Sequence, residues 1–187
     1  MKELGIVERA AVYAATQHSG QRRKGSGVPY ILHAMEAAAI VSTMTADLDV
    51  IAAAMLHDVL EDTGAAFEEI TGLFGEKVAM LVRAESEDKR PDRPKSETWV
   101  IRKQETLERL AEADERTKMI AMGDKLSNLR SMHRDILVMG DELWQRFNQK
   151  DPKMHAWYYK GVADCLKSLS HHAAYKEFCH LLDEVFG

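Results

Sequence analysis

This sequence predicts an all-α single domain, on three observations. Apolar residues recur at helical spacing through nearly the whole chain, and no alternating β-rich segment competes with that pattern. At 187 residues the chain is long enough for one well-packed core, with little room for a second. The expectation is a bundle of about eight to ten helices filling residues 1–187.

The first helix is expected over residues 4–18, where Leu4, Val7, Ala11, Ala14 and Ala15 form an apolar stripe. "SGQRRKGSGVPY" follows, a loop by its three glycines and Pro29. A second helix covers about 31–45. A third starts after Asp47, a suitable N-cap, and runs to about Glu61. "AAFEEITGLFGEKVAMLVRAES" reads as a short helix, a turn at Phe74-Gly75 and a fifth helix. "EDKRPDRPKSE" holds two of the four prolines and reads as a charged loop, with Ser96 or Thr98 starting a helix over about 97–112. A long helix through "DERTKMIAMGDKLSNLRSMHRDILVMG" breaks near Gly140, and two more, about 152–169 and 173–186, close the chain. There is no internal repeat and no low-complexity tract.

Composition narrows the function. Hydrophobic residues make up 45% and charged ones 29%, as in soluble globular proteins. The net charge of −5 argues against a general nucleic-acid binder, so any polyanionic ligand must be held by local positive charge or a metal. No apolar run approaches the ~20 residues of a membrane span, and "MKELGIVERA" lacks a signal-peptide stretch. Cys165 and Cys179 have no CxxC spacing and read as reduced thiols. These features point to a cytoplasmic chain.

Chemistry concentrates in "LHDVLEDT", which ends an almost wholly apolar helix. A His and an Asp together, His57 and Asp58, suit a borderline divalent ion such as Mn²⁺, Fe²⁺ or Zn²⁺. Glu61 and Asp62 then lie one turn on, on the face of Asp58, placed for proton transfer. His33 in "PYILHAMEAAA" and Asp124 in "MIAMGDKLSNLR" are also ionisable groups on apolar helices, where an unpartnered charge is costly to bury. Taken singly, each has a plainer reading: a packed, hydrogen-bonded histidine, or an aspartate paired with a buried cation. One metal would satisfy all four together. His133, nine residues after Asp124, is not expected to be a ligand, and His155, His180 and His171-His172 match no motif and are expected near the surface. Trp99, Trp144 and Trp157 are expected to pack, with Trp99 placed beside the charged loop.

The order His33, His57-Asp58, Asp124 resembles the HD-domain phosphohydrolase superfamily. "HSGQRRKGSGVPYILH", "LHDVLEDT", "FGEKVAMLV" and "GDKLSNLR" are similar, in order over about residues 1–135, to the hydrolase domain of RelA/SpoT-type enzymes and the small alarmone hydrolases. That resemblance implies a helical fold with one Mn²⁺ held by His33, His57, Asp58 and Asp124. It implies Glu61 and Asp62 as the pair acting on the nucleophilic water, and Arg23, Lys24 and Asn128 as substrate contacts. The implied partner is a small nucleotide: the reaction removes the 3′-diphosphate of guanosine 3′,5′-bis(diphosphate) and related alarmones, giving pyrophosphate with GDP or GTP. Ala34 stands where the family usually has Pro, Gly123 where it has Ala, and the basic loop is one residue longer. Guanosine or adenosine preference stays open. Two other readings are carried: an HD-type nucleotidase acting on nucleoside monophosphates or other nucleotide 3′-phosphates, and a non-catalytic nucleotide- or metal-binding module. The acidic pair weighs against the last, because a polyphosphate-binding site has no use for two extra negative charges.

Overall fold

The computed structural model describes residues 3–88, 90 and 92–187, the side chains of Lys95 and Ser96 excepted. The described residues form ten α-helices: α1 (Ile6–Gln17), α2 (Ile31–Val41), α3 (Leu48–Leu56), α4 (Val59–Asp62), α5 (Phe67–Phe74), α6 (Glu76–Glu85), α7 (Lys95–Glu112), α8 (Glu115–Met139), α9 (Pro152–Cys165) and α10 (Ala173–Phe186). Two 3₁₀ segments, Gly140–Arg146 and Lys167–Leu169, follow α8 and α9. The one extended pairing among them is an isolated bridge between Arg22 and Pro29, which pinches the basic loop shut. The expected all-α class holds.

The central element is α8. It packs against α2, α3, α6 and α10, while α7 lies on α9. Asp114 caps its start by accepting from the Thr117 amide at 2.8 Å, and Gly140 ends it at φ 58°, a left-handed conformation that favours glycine. The closest approach is to α2. A methyl group on Gly123 would lie 2.7 Å from the Ala37 carbonyl oxygen and 2.7 Å from a Val41 methyl. The departure from Ala noted at 123 is therefore a packing requirement, matched by the small residues Ala34, Ala37 and Ala38 on α2.

Helix α3 is buried from Val50 to Leu56, and Asp47 caps it as expected, accepting from the Asp49 amide at 3.1 Å. The expected continuation to Glu61 is corrected: α3 stops at Leu56, and His57-Asp58 form a turn before α4. His57 Nδ1 donates to the Ala54 carbonyl at 2.8 Å and closes the end of α3. Three further boundaries differ. Helix α2, expected to about 45, ends at Val41. Helix α7 begins at Lys95 behind Pro94, not at 97 on a Ser or Thr cap. The expected helix 152–169 ends at Cys165 and gives way to a 3₁₀ turn. Among the described residues no helix is long and apolar enough to cross a membrane, and both cysteines are free thiols.

Candidate active site

The turn between α3 and α4 brings His57 and Asp58 against His33 on the first turn of α2 and Asp124 in the middle of α8. His33 Nε2 lies 3.1 Å from Asp124 Oδ1 and 3.6 Å from Asp58 Oδ2; His57 Nε2 lies 2.9 Å from Asp58 Oδ2 and 3.7 Å from Asp124 Oδ1. The four residues expected as metal ligands are thus together.

The outward nitrogens are fixed so that the inward ones can bind. His57 Nδ1 faces a carbonyl, which only accepts, so it carries a proton and leaves Nε2 as the nitrogen turned to the cluster. At His33, Nδ1 meets the Ser127 hydroxyl at 2.8 Å, and that hydroxyl donates onward to Glu36 at 2.7 Å, so Nδ1 is again the donor. Arg130 then links Glu36 to Glu177 through a two-point pair at 2.6 and 2.7 Å. His57 Nε2 is buried and makes no hydrogen bond within the described residues, although two carboxylates flank it. His33, His57 and Asp58 each offer a ligating atom within 4.8 Å of the others, and with Asp124 Oδ1 beside both imidazoles the set fits a divalent ion.

Electrostatics keep the carboxylates charged. Burial alone would raise the pKa of Asp124, but Lys125, His33 and His57 hold it well below the ordinary range. Burial also opposes ionisation of Asp58, and His57 outweighs it. The Tyr30 hydroxyl donates to Asp58 at 2.5 Å, the Asn128 amide donates to Asp124 at 2.5 Å, and Lys125 pairs with Asp124.

The acidic pair divides. Asp62 lines the cleft described below, and its backbone carbonyl accepts from Gln21 at 2.8 Å, tying α4 to the basic loop. The Glu61 carboxylate accepts the Glu87 amide at 3.0 Å, facing the α6–α7 connection. The Glu87 side chain is largely covered and binds Arg102 at 2.8 Å, Lys103 at 2.7 Å and Thr106 at 2.9 Å, so α7 is anchored beside α4.

A cleft of about 630 Å³ opens next to the cluster. Its walls carry seven cations, Arg22, Arg23, Lys24, Arg102, Lys103, Lys125 and Arg146, against one carboxylate, Asp62. The expected substrate residues are on it: Arg23 donates to Asn128 Oδ1 at 2.9 Å and lies 5.8 Å from the Tyr30 ring centre, and Lys24 is exposed at the mouth. Trp99, Tyr158, Tyr159 and Phe147 add aromatic surface.

Reading the sequence alone missed Tyr30, Ser127 and Glu36 behind the ligands, and Arg102, Lys103 and Arg146 on the cleft wall. Tyr30 and Ser127 lie within quoted motifs, beside His33 and Asn128, and were legible as neighbours. The three cations sit in helical patterns where a basic residue usually means a solvated face. In the charged loop Arg90 pairs with Glu105 at 2.5 Å and Arg93 approaches Glu97 at 4.0 Å, while Lys89 and Pro91 lie outside the described residues. His155, expected near the surface, is buried. Its Nε2 meets the Gln149 carbonyl at 2.9 Å, and its ring packs among Trp99, Trp144 and Phe147.

Known proteins are similar to this chain in sequence and in fold. A family model described as HD domain matches residues 10–151. A guanosine-3′,5′-bis(diphosphate) 3′-pyrophosphohydrolase from Drosophila melanogaster is 35% identical over 177 residues, which is 93% of this chain and 89% of the relative. One of the same name from Danio rerio is 38% identical over 125 residues, 65% of this chain and 66% of the relative. A GTP pyrophosphokinase from Myxococcus xanthus is 32% identical over 82% of this chain, which corresponds to only 20% of that longer protein. Among solved structures, a metazoan ortholog of SpoT described as hydrolyzing ppGpp superposes with a TM-score of 0.76 at 32% identity, covering 100% of this chain and 96% of its own. A protein from Listeria monocytogenes superposes with a TM-score of 0.72 at 27% identity, covering 86% of this chain and 97% of its own.

Proposed function

The chain belongs to the HD-domain family as a hydrolase of RelA/SpoT type, and from that membership we propose that it removes the 3′-diphosphate of guanosine 3′,5′-bis(diphosphate) and related alarmones. The products are pyrophosphate and GDP or GTP. The observation that carries this reading is the cleft: seven cations against one carboxylate, opening beside two histidines and two aspartates.

His33, His57, Asp58 and Asp124 would hold one divalent ion, for which we propose Mn²⁺; such an ion supplies Lewis acidity that lets water act as a nucleophile near neutral pH. The chain's own groups do the rest. Arg23 and Lys24 neutralise the diphosphate, and Arg23, held by Asn128 near Tyr30, is preorganised to stack on the purine. Arg102 and Lys103 add charge from α7. Water attacks the phosphorus on the ribose 3′ oxygen, the P–O3′ bond breaks, and its electron pair stays on that oxygen. Asp62, on the cleft wall, takes the water proton and returns a proton to the departing oxygen. Glu61, bound to the Glu87 amide, keeps α4 in register with α7. Half-buried Lys125 holds Asp124 ionised.

The test is turnover of guanosine 3′,5′-bis(diphosphate) by metal-free protein resupplied with Mn²⁺, with nucleotides resolved by ion exchange. The expected products are GDP and pyrophosphate, lost when Mn²⁺ is withheld. No turnover by protein shown to have bound the ion rejects the alarmone reading and directs the assay to nucleoside monophosphates.

A further inference from the structure

The folding of α10 onto α8 gathers a second set of metal-ligating side chains, on a surface away from the cleft. Glu115 is the first residue of α8. His171 and His172 form the turn that enters α10. One ligating atom from each of the three lies within 4.8 Å of the others. The two imidazole rings are 4.0 Å apart, centre to centre. His172 Nε2 is shielded from solvent and has no hydrogen-bond partner among the described residues, an arrangement that costs stability unless something binds there.

We propose that Glu115, His171 and His172 form a second divalent-metal site of the zinc class. Two imidazoles and one carboxylate are the donor set of open zinc sites, in which water completes four-coordination. The same set, with no thiolate, also admits other borderline ions. Donors around a tetrahedral zinc lie roughly 3.3 Å apart, from metal–ligand distances of about 2.0–2.1 Å. Glu115 and His171 are exposed, so rotamer changes can close the remaining gap without moving a helix.

Such an ion joins segments 56 residues apart and staples the start of α10 to the start of α8. Asp124 lies about 13 Å further along α8 by helical rise. The site therefore acts on the stability of the C-terminal helices and takes no part in the cleft chemistry.

The experiment is calorimetric titration of untagged, metal-stripped protein with Zn²⁺, comparing the wild-type chain with His171→Ala/His172→Ala. The wild type should take up one more equivalent than the double variant, and saturating Zn²⁺ should raise its Tm further. Mn²⁺-supported turnover should be the same in both. Equal stoichiometry in the two proteins overturns the proposal. Should circular dichroism show that the double variant has lost helix, Glu115→Gln decides: affinity for the extra equivalent at least tenfold weaker supports the site, and unchanged affinity overturns it.

Discussion

His33 and His57 face the same two carboxylates yet lie on opposite sides of their ordinary pKa. At His33 burial wins over Asp124 and the pKa falls. At His57 burial pulls the same way, but Asp58 and Asp124 outweigh it and hold the pKa well above 6.5. We expect His57 to be the imidazolium in metal-free protein. The stability it brings is fully present below the unfolded value of about 6.5 and is lost as pH rises through the folded value. An ion bound at Nε2 must expel that proton. We expect about one proton released per ion at pH 7, read from the dependence of binding heat on buffer ionisation enthalpy; no release would mean that His57 is already neutral. Glu87 titrates in the opposite sense. Burial raises its pKa, but Lys103 and Lys125 bring it down to about 2 from 4.5. Its contribution is present above 4.5, the unfolded value, and is lost as pH falls through about 2. Glu87→Gln strands Arg102 and Lys103 and should cost roughly 3 kcal/mol at pH 7 in urea unfolding. The variant's acid limb should be flatter; an unchanged limb would remove Glu87 from this role.

Element by element, the instructive cases are α8 and the α3–α4 junction. A glycine inside a helix usually gains stability on change to Ala, by about 1 kcal/mol. At Gly123 the added methyl meets the Ala37 carbonyl oxygen at 2.7 Å, and overpacking of that kind costs about 1–3 kcal/mol. Gly123→Ala should therefore lower Tm, and should also weaken metal uptake, because Asp124 moves with the helix. A raised Tm would show that α2 and α8 separate freely. Nothing in the sequence distinguishes this glycine from a tolerated one, since the close approach belongs to two helices together. The break at His57-Asp58 was equally hidden. Apolar residues run from Val50 through Met55-Leu56 and resume at Val59-Leu60 after His57-Asp58, so periodicity reads one helix. The stop depends on His57 turning its Nδ1 to Ala54 while Nε2 faces the cluster. By contrast Asp47, Gly140 and the turn at Phe74-Gly75 were legible, because a cap or a left-handed residue acts on its own few neighbours.

For the molecule as a whole, charge distribution governs substrate capture. The chain carries a net −5, while its cleft walls hold seven cations and one carboxylate. An anionic substrate is drawn to that cleft by a field which salt screens over roughly 10 Å at 0.1 M. Raising NaCl from about 50 to about 500 mM should raise KM several-fold with little change in kcat, measured on the Mn²⁺ protein; a flat KM would mean that the cations do not contact substrate. The sequence by itself determined the helical class, most element positions and the cluster of His33, His57, Asp58 and Asp124. It could do so because charged groups in apolar helices are a local anomaly, visible one segment at a time. Only the tertiary structure decided which carboxylate of the Glu61-Asp62 pair faces the cleft, that Arg102, Lys103 and Arg146 join Arg23 and Lys24 on its walls, and that His155 is buried among aromatic rings. Each of these depends on segments far apart in the chain meeting around α8. A cation on a helix looks the same in sequence whether it faces water or a substrate, so only packing settles which.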